Sequence, residues 1–130
     1  MKNINDIGLL ILRVSAGLSM LFAHGLGKIK QPEGFINALT DSGFPLPKVS
    51  AYLAISAETI FPLMIVLGIL TRISSGIAAF NMFVAGFVYH LIMKGDPFSD
   101  YEKALLYFII FATITVTGSG RYSVDKMLRT

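Results

Sequence analysis

The chain has 130 residues, 54% of them hydrophobic and only 15% charged, with a net charge of +3 and no cysteine. A soluble domain carries about a quarter charged residues, and disordered, collagen-like and coiled-coil chains need compositions this one lacks. Without cysteine there are no disulfides, thiolate metal sites or thiol redox chemistry, and no basic, aromatic-rich patch points to nucleic acid.

The charged residues are clustered, leaving four long apolar runs. Residues 7–26 contain only Arg13, residues 49–71 only Glu58, and residues 73–93 and 104–120 no charge at all. A bilayer core is crossed by about 20 mostly apolar residues in a helix. The runs predict an all-α integral membrane four-helix bundle forming one domain, with spans at about 7–26, 51–70, 73–93 and 104–117. The first run is too long for a signal peptide and lacks a good cleavage site, so it is expected to stay as a span.

Between spans one and two, Pro32 opens a segment in which Phe35, Ile36 and Leu39 share one helical face. It predicts a short interfacial helix, ended by the turn at Gly43, Phe44 and Pro45. Only Thr71 and Arg72 separate spans two and three, which predicts a tight hairpin.

Lys and Arg divide five to each side, but the side holding both termini has fewer acids. Termini in the cytoplasm are therefore the expectation, for a multi-pass protein of a prokaryotic inner (plasma) membrane.

Ionisable groups inside a span are expensive and default to functional candidates. Here they are Arg13, His24, Glu58 and His90, with Lys28 and Glu102 at the rim and Tyr107 just below it. At 100° per residue, Arg13 and His24 differ by about 20°, and Lys28 falls close to the same line. His24, Glu58, His90, Glu102 and Tyr107 are expected to converge in the half of the bundle away from the termini. Arg13 lies deeper and pairs with Glu58 or holds it ionised. Asn81 sits opposite His90 and reads as a packing residue or a helix–helix hydrogen bond. Pro62 deprives the Glu58 carbonyl of its usual N–H partner, freeing it one turn from the buried acid. Two histidines and Glu58 would suit a transition metal, but no ligand pair lies on one helix turn, so no metal site is assigned.

At these residues the chain resembles the DoxX family of small four-span bacterial membrane proteins. The likeness runs through Leu12, Arg13 and Gly17, then His24-Gly25 with Lys28, Gly43-Phe44-Pro45 and Ala57-Glu58. It continues through the hairpin of residues 67–72, His90 and Glu102, and closes with the tail of residues 118–125. The resemblance implies a membrane subunit or partner of a redox system. The family takes its name from a subunit linked to quinol oxidation and thiosulfate:quinone oxidoreduction.

The functional expectation is a quinone- or quinol-linked pocket serving a protein redox partner in the bilayer, with the cofactor itself unidentified. Glu58 and His24 are the candidate catalytic residues; Arg13, His90, Lys28, Glu102 and Tyr107 are the candidate binding residues. A small-molecule or lipid transporter and a non-catalytic membrane scaffold are the alternatives. Homo-oligomerisation stays open.

Overall fold

The structure is a computed structural model that describes residues 2–129. Among these the regular structure is all helical, without a strand. Helix α1 (Lys2–Met20), a π-helical turn π1 (Leu21–Gly25) and α2 (Leu26–Lys30) run on as one rod. Helix α3 (Pro32–Asp41) starts at its proline, and α4 (Pro47–Leu67) follows. Helix α5 (Thr71–Phe83) passes into a second π segment, π2 (Val84–Met93). Helix α6 (Phe98–Thr117) and a short α7 (Val124–Arg129) complete the order.

Three rods, Ile4–Lys30, Pro47–Leu67 and Thr71–Met93, are long and apolar enough to cross a membrane. Helix α6 is 20 residues long, but its first two turns carry Asp100, Glu102 and Lys103. The four rods pack in a ring, α1 on α4, α4 on α5, α5 on α6 and α6 back on α1. Met20, Ile65, Ala78, Phe111 and Ile114 fill its centre.

Polarity is inverted relative to a soluble protein. Arg13, Glu58, Thr71, Ser74 and Ser75 are buried, while Leu53, Ile60, Leu63, Phe80 and Val116 face outward. Apolar surroundings reward this arrangement, because each inward polar group finds a partner and no outward one must be desolvated.

The hairpin turn falls earlier than the apolar run implied, at residues 68–70. Helix α4 ends at Leu67, not near residue 70, because Gly68 takes the left-handed conformation (φ 77°) and its N–H bonds the Met64 carbonyl. Leu70 is also left-handed, at φ 45°. The tail holds this turn: Asp125 accepts from the N–H groups of Leu70 (2.7 Å) and Thr71 (2.9 Å) and from the Thr71 hydroxyl (2.8 Å). A carboxylate thus caps α5 from 54 residues away. Losing a helix cap costs about 1 kcal/mol, so Asp125→Ala should lower the melting temperature in mild detergent by several degrees. Glu102→Ala, at an exposed position, should leave it unchanged.

Candidate functional site

Glu58 is 2% exposed, yet both its oxygens are engaged. Lys28 donates to Oε1 at 2.7 Å, and Asn81 Nδ2 donates to Oε2 at 3.2 Å. Three rods therefore meet at one carboxylate. The paired charges cancel, which removes most of the cost of burying either.

Close approach of the first rod to α4 makes this possible. A Cβ on Gly25 would strike the Glu58 carbonyl oxygen and lie 2.7 Å from the Thr59 methyl. That carbonyl is the one Pro62 leaves without its i+4 donor. Two turns away, a Cβ on Gly17 would lie 2.8 Å from the Pro62 carbonyl. The two glycines let backbone meet backbone. Lys28, one turn beyond Gly25, then reaches Glu58, with its ammonium 4.3 Å from the centre of the Phe35 ring.

Beside this cluster lies a cavity of about 590 Å³. Its walls are mainly apolar, including Phe44 and Phe61, with Lys28, Glu58, Asn81 and His90 among its few polar groups. Phe35 and Leu39 of α3 also line it, so the predicted helix forms and walls the cavity.

At its loop end, His90 Nδ1 lies 2.9 Å from Asp96 Oδ2, with the Lys94 ammonium 3.7 Å from the same oxygen. The Asp96 carboxyl is held below the usual carboxylate range, first by the hydrogen bond from His90 and then by Lys94. Tyr89 packs edge-on against His90, and its hydroxyl accepts from Ser42 at 3.4 Å.

The expected convergence is only partly realised. Glu58, Lys28 and His90 share the cavity, whereas His24 is turned to the α1–α6 seam. There its ring meets Tyr107 edge-on at 5.6 Å, and Tyr107 stacks on Phe111. Neither His24 nor Tyr107 lines the cavity, nor does Glu102, which is exposed in the first turns of α6.

The expected Arg13–Glu58 contact is replaced by another. Arg13 is 1% exposed and donates to four carbonyls: Ile65 (3.0 Å), Val66 (3.0 Å), Ser119 (2.7 Å) and Tyr122 (3.0 Å). Two of them end α4, where a helix presents its negative pole: the Ile65 carbonyl, which also accepts from the Gly68 N–H at 3.1 Å, and that of Val66. Arg13 and Lys28 are 15 residues apart on one rod, roughly 22 Å at helical rise, so one acid cannot serve both. Arg13 is a clamp at the opposite end of the bundle.

Asn81 and Asp96 were the members hardest to foresee. Of its two expected roles, packing or a helix–helix hydrogen bond, Asn81 takes the second, with Glu58 as its partner. Nine residues separate it from His90, half a turn apart in an α-helix. From Val84 onward the wider π turn, about 85° per residue, cuts that offset to roughly a quarter turn. Both side chains then line one cavity. Asp96 sits in a loop and carries no periodic signal; a carboxylate six residues after a histidine was the only available hint.

The DoxX family model matches residues 8–91, which hold Arg13, Gly25, Lys28, Glu58, Asn81 and His90. The chain is 30% identical over 132 aligned positions to the inner membrane protein YqjF of Escherichia coli (strain K12), covering 98% of this chain and 97% of YqjF. It is 29% identical over 123 residues to CatD of Bacillus subtilis (strain 168), provisionally named an oxidoreductase, covering 95% of this chain and 88% of CatD. No solved structure matches it. By the family match and by its end-to-end likeness to these relatives, the chain belongs to the DoxX family.

Proposed function

We propose that the protein is a four-span bundle of a bacterial inner membrane that holds the head of a quinone-type amphiphile for a membrane redox partner. The observation that carries this is the mainly apolar cavity of about 590 Å³, walled in part by the buried Glu58 carboxylate with its partners Lys28 and Asn81. An apolar site with a few fixed polar groups suits an uncharged ring on an apolar tail. A quinone supplies two-electron, two-proton chemistry when bound. The chain's own residues bind and orient it: Lys28 and Asn81 keep hydrogens to donate to ring oxygens, Glu58 and His90 offer acceptors, and the apolar walls exclude water.

In this reading α6 is the fourth span, and α3 lies at the membrane interface over the cavity. The termini face the cytoplasm, with Lys2, Arg72, Arg121, Lys126 and Arg129 on that side. The likeness to YqjF, named an inner membrane protein, and to CatD, provisionally named an oxidoreductase, supports location and chemistry respectively.

The test is mass spectrometry of small molecules retained by the protein purified in mild detergent, with Glu58→Gln alongside. Wild type should retain an apolar-tailed quinone or the corresponding quinol. The variant, which weakens the Lys28 pairing in a buried setting, should retain at least about tenfold less. A different metabolite lost in the same way would establish transport or lipid handling instead. Equal retention of a quinone by both proteins would remove Glu58 from the site.

A further inference from the structure

His90 enters the cavity with only one ring nitrogen uncommitted. Its Nδ1 lies 2.9 Å from Asp96 Oδ2. An ionised carboxylate can only accept hydrogen bonds. The Asp96 carboxyl is kept ionised at neutral pH by its bond from His90 and by Lys94 at 3.7 Å. Nδ1 must therefore carry the hydrogen. In a neutral imidazole the second nitrogen is then a bare acceptor. Asp96 thus decides what His90 offers to the cavity it lines.

Charge narrows the ligand further. Lys28 and Glu58 neutralise each other at 2.7 Å, so this part of the cavity wall has no net charge to attract an ion. A head facing it is uncharged, and where it meets His90 it must donate a hydrogen. A hydroxyl does so and a ring carbonyl does not. A carbonyl there would face Nε2 lone pair to lone pair, and the bound ring would strip water from an acceptor it leaves unpaired.

We infer that the cavity selects the reduced, hydroxyl-bearing form of its ring ligand over the oxidised, carbonyl form, and that Asp96 is the positioning residue that sets this preference through the tautomer of His90. The inference rests on the amphiphile reading of the cavity and adds which redox form binds. No proton or electron transfer is required, since the preference is one of hydrogen-bond direction.

Asp96→Asn tests it directly. A carboxamide can donate to Nδ1, and His90 then carries its hydrogen on Nε2 and turns from acceptor to donor. The probes are a long-alkyl benzohydroquinone and the corresponding benzoquinone. Their binding to detergent-purified protein is followed anaerobically by tyrosine fluorescence at about pH 8, above the ordinary imidazole range.

Wild type should bind the hydroquinone about tenfold more tightly, the worth of one buried hydrogen bond. Asp96→Asn should shrink that ratio to about threefold or less, and Asp96→Glu should restore it. Asp96 lies in an exposed turn after the last residue of π2, so these changes leave the helices intact. Nitrogen NMR of labelled histidine should show the His90 hydrogen moving from Nδ1 to Nε2 in the Asn variant.

Equal affinity for the two probes in wild type, or an undiminished ratio in Asp96→Asn, would overturn the inference and leave the binding cavity standing. Binding of neither probe to wild type would overturn both the inference and the reading beneath it.

Discussion

Replacing Arg13 by alanine should be the most destructive single change in the protein. Four carbonyls lose a donor together: two end α4, of which Ile65 keeps the Gly68 N–H, and two belong to the tail after α6. Each buried polar group left unpaired costs about 1–3 kcal/mol, and deleting a large buried side chain leaves a cavity as well. A loss on the order of 4 kcal/mol is expected, enough to unfold a marginally stable protein. Arg13→Lys keeps the charge but not the planar fork, so it should recover less than half of the loss. Thermal unfolding in mild detergent reads both. If Arg13→Ala melted within a few degrees of wild type, the guanidinium would not be the clamp described here. Ligand retention by whatever folded fraction remains should be normal, because Arg13 lies at the other end of the bundle from the cavity.

Gly25→Ala should be the most damaging small change. The added methyl would overlap the Glu58 carbonyl oxygen and lie 2.9 Å from its carbon, and both are backbone atoms that cannot swing away. The first rod must move off α4, and overpacking of this kind costs about 1–3 kcal/mol. The displacement also draws Lys28 away from Glu58, whose present separation is 2.7 Å. Gly25→Ala should therefore lower both melting temperature and ligand retention. Gly27→Ala is the control: it sits on the same rod, and a methyl there meets nothing within 4 Å. Removing a helix-interior glycine should leave stability unchanged or raise it slightly. A Gly25→Ala protein as stable as the Gly27→Ala one would mean that backbone contact between the rods is not what brings Lys28 to Glu58.

These two variants separate the two ends of the molecule. At one end, Arg13 and Asp125 tie the tail to the α4–α5 turn. At the other, Lys28, Glu58, Asn81 and His90 line the cavity, and Gly25 lets the first rod approach α4 beside it. In a membrane, burial of apolar surface no longer drives helices together. Specific polar contacts and close glycine packing must then fix how the rods align, and this chain places one set at each end.

The sequence by itself determined the membrane character and helical class. Long charge-free runs can be satisfied in lipid only by helices, and that argument needs no tertiary information. It also marked the charges within such runs as ones to be accounted for: Arg13 and Glu58 prove to be buried and partnered. What it could not supply was who meets whom. Helical periodicity gives an angle around an axis and a height along it, but not the axial offset between neighbouring rods. Arg13 therefore read as a mid-membrane partner for Glu58 when it lies level with the end of α4. Periodicity also presumes an unbroken α-helix. The π turns at residues 21–25 and 84–93 break that assumption, bringing Asn81 and His90 to one cavity. Whether a turn widens from α to π depends on hydrogen bonds and packing contributed by other helices, and only the tertiary structure decides it.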